Sequence, residues 1–323
     1  MSERRREAAR GYAGDLREPL TLLSHALRRK GEAVPPDWAE DSEVSLRAGH
    51  MEARLSTLDG KVTAMLINTV RGHRCFSHLF LATSGSAAED GEPLVRELVS
   101  SPPPGIRRFD VTFSAVDRDA EVRLQALFPT WGLPFRSFER ERMVLRLDSS
   151  SPPEQPPLPP GLRFVHASRF PAGILASVDF RAFEASPDRG LVAENITEDE
   201  RILSELVGGS LGVFVPDGSP GVIRETGGGE ELIGFVLSVE LAPGRALIAD
   251  VALLPEFRGQ RVSIALLHRA LRGLLARGIR EVTLWVTTAN LPARALYSRA
   301  GFVSTLHEPI YIWEVSPGVD SSR

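Results

Sequence analysis

The sequence predicts an α/β fold of the mixed (α+β) kind, in which a sheet of parallel and antiparallel strands has helices on both faces, repeated in two tandem halves. The chain has 323 residues, about the length of two average domains. Strand-like and helix-like segments alternate in the same order in both halves. The stretch "SSSPPEQPPLPP" separates the halves, because proline removes backbone donors and interrupts strands and helices.

These features predict a first domain over residues 1–148 with an N-terminal helix, a proline-rich linker over residues 149–160, and a second domain over residues 161–315. Hydrophobic residues make up 42% of the chain and charged residues 25%, as in folded proteins with a sizeable core. The formal net charge of −4 argues against general affinity for nucleic acid. Cys75 is the only cysteine, which excludes an internal disulfide and a cysteine-rich zinc site, and we expect no metal.

The chain start has no apolar segment of signal-peptide length, and no apolar run reaches the roughly 18 residues of a membrane span. We therefore expect a cytoplasmic protein with no membrane or nucleic-acid partner, either a monomer or a homodimer.

In the first half, leucines at spacings of three and four predict a helix over residues 19–29. Asp59-Gly60 lies between two alternating apolar runs and predicts a β-hairpin. The segments "CFSHLFLA", "RRFDVTFSA" and "FRSFERERMVLRL" predict strands, and "GEPLVRELVS" and "DAEVRLQALFP" predict helices. The charged residues of the last strand are expected to face water.

The second half repeats this order. A strand is predicted at "LRFVHA", then helices at "PAGILASVDFRAFEA" and at "TEDERILSELV", the latter capped by Thr197 and Glu200. "SLGVFVPDG" and "ELIGFVLSVEL" predict strands around a glycine-rich connection. After the strand "RALIADVALLP" comes a helix over residues 261–277 that stops at Gly278. The strand "EVTLWVTT", the helix "LPARALYSRA" and the strand "FVSTLHEPIYIWEV" are expected to finish the second sheet.

The turn between Pro255 and the following helix has two interpretations. The first N–H groups of a helix lack partners within it, and together with the helix dipole they attract anions. Gly259 allows a phosphate to approach the backbone, and the guanidinium of Arg258 can bind it through two nitrogens. The alternative is an ordinary helix start with exposed arginines.

Residues 251–302 resemble the core of the GNAT superfamily of N-acetyltransferases, in which two motifs occur at a fixed spacing. The first motif is the turn around Arg258 and Gly259, and the second is the helix that runs from Asn290 to Tyr297. The resemblance covers residues 162–314 closely, and the tandem arrangement is similar to that of two-repeat members of the superfamily. The matching residues are Leu253, Pro255, Arg258, Gly259, Asn290, Ala293, Leu296, Tyr297, Gly301 and Phe302.

The resemblance implies two tandem acyl-CoA N-acyltransferase-like domains, the first degenerate, with acetyl-CoA as acyl donor. A splayed strand would pair with the pantetheine arm of acetyl-CoA. The turn amides would hold its diphosphate beside Arg258. Two residues of the second motif would lie near the pantetheine arm and the thioester sulfur. The strand positions are Val251, Ala252 and Leu253, the turn positions are Gly259, Gln260, Arg261, Val262, Ser263 and Ile264, and the motif positions are Asn290 and Tyr297.

The sequence departs from the family pattern at three positions. Arg261 and Ser263 replace glycines of the turn, and Trp285 stands where related enzymes often have a glutamate base. A left-handed φ at Arg261 would cost about 1 kcal/mol or more. Because this position opens a helix, we expect Arg261 to adopt a helical φ.

Acyl transfer from a thioester to an amine requires a neutral amine, a stabilised oxyanion and a protonated leaving thiolate. Tyr297 is the candidate acid, because an unperturbed tyrosine with a pKa of about 10 is protonated at neutral pH. Asp250 interrupts an apolar strand and is either the base or an ion-pair partner of Arg245 or another arginine. We expect an N-acetyltransferase that moves an acetyl group to a primary amine of a small molecule or peptide in a ternary complex. The alternatives are a non-catalytic acyl-CoA-binding sensor and an interaction scaffold.

The first half is not expected to bind coenzyme A. Its corresponding turn, "LATSGSAAEDGEPL", lacks the arginine-glycine pattern and carries Glu89, Asp90 and Glu92, which would repel a diphosphate.

Two other patterns in the sequence do not indicate a site. Ser210 fits a G-x-S-x-G pattern, but a helix precedes it and a strand follows, the reverse of a nucleophile elbow. His73 and His78 are five residues apart in an expected strand segment, so they would point to opposite faces and make a poor metal pair.

Overall fold

A computed structural model of the protein describes residues 3–32, 34–83, 87–131, 134–148 and 154–315. These residues form two compact units. Unit 1 contains the described residues up to Phe138 and those from Pro309 onward, and unit 2 is Glu139–Glu308. Residues 149–153 of the expected linker and residues 84–86 of the first-half turn lie outside the described residues. No helix in the described part of the chain is long and apolar enough to cross a membrane.

Both units combine helices and strands, as the alternating sequence pattern predicts. The helices are α1 Arg17–Arg29, α2 Trp38–Ala48, α3 Ala87–Ser100, α4 Arg118–Leu127, α5 Ala172–Phe183, α6 Ile196–Val207, α7 Val262–Ala276 and α8 Leu291–Arg299. The strands are β1 Arg4–Ala8, β2 Glu52–Leu58, β3 Lys61–Arg71, β4 Arg74–Leu81, β5 Arg108–Ala115, β6 Arg136–Arg146, β7 Leu162–His166, β8 Val213–Phe214, β9 Pro220–Thr226, β10 Gly229–Ala242, β11 Arg245–Leu253, β12 Glu281–Thr287 and β13 Val303–Glu314.

Unit 1 has the strand order β1-β2-β3-β4-β5, followed by the end of β13. Strands β4 and β5 are parallel and the other neighbours are antiparallel. The hairpin expected at Asp59-Gly60 is confirmed, since Leu58 pairs with Lys61 across it. The two turn residues have φ of 50° and 77°, the positive values that a tight two-residue hairpin requires.

Unit 2 has the strand order β7-β9-β10-β11-β12-β6, and β8 pairs with β10. Only β11 and β12 run parallel in this series. The core between sheet and helices includes the leucines of α7 at positions 267, 271 and 274, each with 0% exposure. The apolar face of α7 therefore packs against the sheet as its periodicity predicts, and the helix ends before Gly278, where φ is 92°.

The two closing strands do not follow the predicted domain boundaries. Residues 140–146 of β6 pair with β12 in unit 2, although the sequence places them in the first domain. Residues 311–314 of β13 pair with β5 in unit 1, although they were expected to finish the second sheet. Strand pairing is a non-local contact, and the order of elements along the chain does not specify which sheet edge accepts a terminal strand.

Several local predictions are also corrected. Strand β1, helix α2 and strand β9 were not expected, and β8 is much shorter than the predicted strand. Helix α6 is capped by Asn195, whose side chain accepts from the N–H of Glu198, and not by Thr197 with Glu200. In β6, Glu141 and Arg142 have exposures of 2% and 8%. The expectation that the charged residues of this strand all face water is therefore wrong.

Candidate active site

The sheet of unit 2 opens between its two parallel strands. Strands β11 and β12 pair only from Arg245 with Glu281 to Leu247 with Thr283. Beyond that point β12 continues to pair with β6 as far as Thr287, and β11 continues to pair with β10 as far as Leu253. The edge of β11 that faces away from β10 therefore has no strand partner over residues 248–253 within the described chain. The candidate pantetheine-binding residues Val251, Ala252 and Leu253 lie on this free edge.

A β-bulge accompanies the opening. Asp250 pairs with Leu237 and Ile248 pairs with Ser238, so Ala249 is an extra residue on β11. A bulge bends its strand and increases the local twist, which is consistent with the divergence of β11 from β12. This deformation places the backbone of the strand where another extended chain can form hydrogen bonds with it.

The turn after β11 presents a row of unpartnered amides. A short 3₁₀ segment, Pro255–Phe257, leads into Gly259, where φ is 76°, and Arg261, where φ is 63°. The first main-chain hydrogen bond of α7 is donated by Ala265 to the carbonyl of Arg261. Among the described residues, the N–H groups from Gly259 to Ile264 have no hydrogen-bond acceptor. Such successive free amides before a helix form an anion-binding concavity.

Arg261 differs from the expectation. The helical φ predicted for it is wrong, because Arg261 is the left-handed N-cap residue of α7. Left-handed non-glycine residues cost of order 1–3 kcal/mol. The strain follows from the shape of the turn, which reverses the chain through two positive-φ positions, only one of which is glycine.

Arg258 holds the turn against the neighbouring helix. Its Nη2 donates to the main-chain carbonyl of Ala182 in α5. A phosphate contact from this side chain would come from its other guanidinium nitrogens. Gln260 makes a similar local contact, donating from Nε2 to the carbonyl of Glu256 at 3.1 Å. Both side chains fix the loop whose amides are free.

Asn290 caps α8. Its Oδ1 accepts from the N–H of Ala293 at 3.2 Å, and its Nδ2 donates to Oδ2 of Asp188 at 2.6 Å. The amide thus shapes the start of the helix that carries Tyr297, and one hydrogen of Nδ2 remains for a further acceptor.

Tyr297 is 8% exposed and packs at an angle to Phe302, with ring centroids 6.0 Å apart. Burial raises the pKa of its phenol, and the nearby charges of Asp250 and Asp188 raise it further. Tyr297 therefore stays protonated throughout the physiological pH range, so its phenol can act as a proton or hydrogen-bond donor but not as a base.

Asp250 belongs to a group of three aspartates. The carboxyl group of Asp179 in α5 lies next to those of Asp250 in β11 and Asp199 in α6, close enough that each affects the pKa of Asp179. Burial raises the pKa of all three, to about 7 for Asp250, about 6 for Asp199 and well above the usual value for Asp179. Oδ1 of Asp179 and Oδ2 of Asp199 are buried and have no donor among the described residues. A proton on Asp179 supplies a hydrogen-bond donor to the neighbouring carboxylates.

The ion pair considered between Asp250 and Arg245 is not formed. Arg245 instead donates from Nε to Oε1 of Glu281 at 3.0 Å. Burial raises the pKa of Asp250 to about 7, and no counter-ion among the described residues lowers it, which suits Asp250 to act as a general base. The sequence interpretation missed Asp179 and Asp199. The available signal was a carboxylate within the apolar run "GILASVDFRAF", where an unpaired charge is costly.

The corresponding strands of unit 1 have no opening. All eight residues of β4 pair with β5, from Arg74 with Arg108 to Leu81 with Ala115. In the following helix, Asp90 is buried and forms an ion pair with Nε of Arg4 at 2.6 Å. Glu92 lies 3.5 Å from Arg96, whereas the side chain of Glu89 lies outside the described residues. The closed strand pair leaves no free backbone edge for a cofactor arm.

Comparisons with known proteins agree with these features. Residues 181–302 match the sequence model of the acetyltransferase (GNAT) family. Mycothiol acetyltransferase from Actinosynnema mirum is 30% identical over 165 residues, which cover 50% of this chain and 52% of that protein. The same-named protein of Corynebacterium glutamicum is 32% identical over 83 residues, which cover 26% of this chain and 28% of that protein. The chain thus spans about half, or less, of the length of the curated relatives it matches.

Two solved structures resemble the whole chain. A GCN5-related N-acetyltransferase from Sphaerobacter thermophilus has a TM-score of 0.63 and 21% identity, over 99% of this chain and 97% of that one. A tandem GNAT protein from the clavulanic acid biosynthesis pathway has a TM-score of 0.60 and 16% identity, over 98% and 100%. At these identities the likeness concerns the fold, and it confirms the predicted class.

Proposed function

We propose that unit 2, whose residues 181–302 match the sequence model of the acetyltransferase (GNAT) family, transfers an acetyl group from acetyl-CoA to a primary amine of a small molecule or peptide. The observation that carries this proposal is the opening between β11 and β12 after Leu247 and Thr283. It combines a free backbone edge with the unpartnered amides of the next turn, which are the two kinds of contact that an extended diphosphate ligand needs.

In this proposal the free edge of β11 at Val251, Ala252 and Leu253 pairs with the pantetheine arm. The amides from Gly259 to Ile264 hold the diphosphate, with the charges of Arg258 and Arg261 beside it. Asn290 offers its second Nδ2 hydrogen to the arm. No metal has a part in this mechanism.

Acetyl-CoA supplies an activated thioester, and the protein supplies the proton transfers around it. Asp250 accepts the proton that the attacking amine loses as its nitrogen bonds to the carbonyl carbon. A main-chain N–H near Ala252 or Leu253 stabilises the negative oxygen. As the carbon–sulfur bond breaks, Tyr297 donates its phenolic proton to the departing thiolate. The amine attacks directly in a ternary complex, so the mechanism needs no acetylated residue.

The alternative is a catalytically silent acyl-CoA-binding sensor. Two observations favour it, namely the strained backbone at Arg261 and the tryptophan, Trp285, at the position of the glutamate base often used by related enzymes. The three-aspartate group around Asp250 favours the enzyme, because a carboxyl group with a pKa of about 7 is suited to proton transfer and has no part in passive binding.

Calorimetric titration with acetyl-CoA, followed by a thiol-release assay over a library of amines, tests the proposal. We expect saturable binding of acetyl-CoA. We also expect a release of coenzyme A that requires both an amine and the protein. Binding without release for any amine would favour the sensor. Failure of millimolar acetyl-CoA to bind, or to raise the melting temperature, would contradict both.

A further inference from the structure

Arg140 of strand β6 lies beside the proposed active site and has no hydrogen-bond acceptor or ion-pair partner among the described residues. Its neighbour Glu141, on the opposite face of the strand, accepts a hydrogen bond from Nε of Arg294 at 2.6 Å. The guanidinium of Arg140 makes no hydrogen bond or ion pair with any described residue, and its Nε is buried. Arg140 is half-buried, but its Nε is buried without an acceptor, whereas buried polar atoms are normally paired, so this group has the features of a ligand-binding group.

A second unpartnered group lies directly across the strand ladder. Thr287 of β12 is the register partner of Arg140, so the two side chains project from the same face of the sheet. Thr287 is 3% exposed, and its Oγ1 is buried without a hydrogen-bond partner in the described structure. Two adjacent polar groups, one a cation and one a hydroxyl, thus both lack the acceptor that each can bind.

The surroundings of Arg140 connect it to the candidate active site. The ring of Trp285 lies 5.8 Å from the guanidinium carbon and covers one side of it. The phenol of Tyr297 and the carboxylates of Asp188 and Glu308 are near enough to influence its titration. Burial nevertheless dominates and lowers the pKa of Arg140, because these charges do not replace the lost hydration.

Resting on the proposed function, we propose that the acceptor amine carries a carboxylate, which the guanidinium of Arg140 and the hydroxyl of Thr287 bind. The substrate class is then the amino acids and related small amino carboxylic acids, oriented with the anion at Arg140 and the amine toward Asp250 and Tyr297. Trp285, at the position of the missing glutamate, lies against the guanidinium of Arg140 and would border the bound carboxylate.

A carboxylate fits the pocket better than a phosphate. The planar guanidinium can form two parallel hydrogen bonds with either group. However, the two carboxylates of Asp188 and Glu308 lie close to Arg140. They repel a dianionic phosphate more strongly than a singly charged carboxylate, and a single guanidinium neutralises only the latter.

The experiment compares matched acceptors and matched variants of the full chain. The twenty standard L-amino acids, their carboxamides and the corresponding aminoalkylphosphonates are assayed for acetyl-CoA-dependent thiol release. The proteins are the wild type, Arg140→Lys, Arg140→Met, Thr287→Val and, as a control, Arg146→Met. Arg146 is exposed and lies further along the same strand. Retained acetyl-CoA affinity shows that each variant is folded.

We expect wild-type protein to prefer at least one amino acid over its carboxamide by about tenfold or more in kcat/KM, since hydrogen bonds to charged groups have effects of this size. Arg140→Met should abolish the preference through KM, Thr287→Val should reduce it, Arg140→Lys should retain part of it, and Arg146→Met should leave it unchanged. Equal use of acids and amides by the wild type, or a preference that survives Arg140→Met, overturns the inference. A preference for phosphonates over carboxylates overturns the choice of anion.

A binding measurement separates this inference from the proposed function. Calorimetry with the same amino acids and carboxamides in the presence of coenzyme A requires no turnover. Carboxylate-selective binding that disappears in Arg140→Met supports the pocket even if no acceptor is acetylated, in which case only the proposed reaction fails. Turnover of amines with no contribution from Arg140 would instead retain the reaction and reject the pocket.

Discussion

Leu247 and Thr283 are the last residue pair that joins β11 to β12, and the two strands separate beyond them. In unit 1 the parallel strands β4 and β5 stay paired to the end, at Leu81 and Ala115. The two units therefore share an arrangement of elements but differ in whether their parallel strand pair opens.

The difference between the two strand pairs predicts the stoichiometry of acetyl-CoA binding. We expect one acetyl-CoA per chain, because within the described residues the parallel strands of unit 1 stay paired, whereas those of unit 2 leave a free strand edge next to unpartnered amides. Isothermal titration measures this number directly. Two equivalent sites, or bound coenzyme A located in unit 1 by crystallography, would contradict the prediction.

Replacement of Arg261 tests the strain in the turn. Arg261→Gly should stabilise the protein by about 1 kcal/mol, because glycine adopts a left-handed φ without the side-chain clash. This net value allows for the greater conformational entropy that glycine gives the unfolded chain. Acetyl-CoA affinity measures the contribution of the side chain. Arg261→Ala is the matched control, because it removes the charge but keeps the strained backbone. Equal unfolding free energies for the glycine and alanine variants would refute the strain.

Asp250→Asn should lower kcat by about 10²- to 10⁴-fold, the usual contribution of a general base, with little change in acetyl-CoA affinity. The amide is nearly isosteric and still accepts a hydrogen bond from Asp179. Asp217→Asn is the control, since Asp217 is an exposed carboxylate of the same unit, with a side-chain exposure of 77%. An unchanged kcat in Asp250→Asn would remove this residue from the mechanism.

Tyr297→Phe should preserve the packing against Phe302 and remove only the phenolic proton. We expect kcat to fall by about two orders of magnitude or more, because the leaving thiolate loses its acid. The effect should be smaller for acyl donors with a more acidic thiol, which need less protonation. Steady-state rates with donors of graded thiol pKa check this, and a loss independent of thiol acidity would indicate a structural role.

The pH dependence of the reaction follows from the raised pKa of Asp250, about 7. A base must be ionised to act, so kcat/KM should rise with pH up to about 7 and then level off. Asp199→Asn removes a negative charge that raises this pKa, and it should therefore move the midpoint to lower pH while the plateau rate stays the same. If the wild type and Asp199→Asn showed the same midpoint, Asp250 would not control the rise of kcat/KM with pH.

Much of this molecule can be predicted from local sequence. The hairpin at Asp59-Gly60, the amphipathic helix α7 and its end before Gly278 follow from short-range rules of turn chemistry and periodicity. The candidate turn was found because Arg258 and Gly259 lie between a strand and a helix at a fixed distance from Asn290 and Tyr297.

The sequence by itself determined the mixed α/β class, the order of most elements and the position of the candidate cofactor turn, because each depends on residues close together in the chain. Only the tertiary structure decided which sheet receives β6 and the end of β13, the grouping of Asp179 and Asp199 with Asp250, and the placement of Arg140 opposite Thr287. Those features depend on strand register and burial between distant segments, as does the left-handed backbone of Arg261. Neither periodicity nor spacing specifies such contacts.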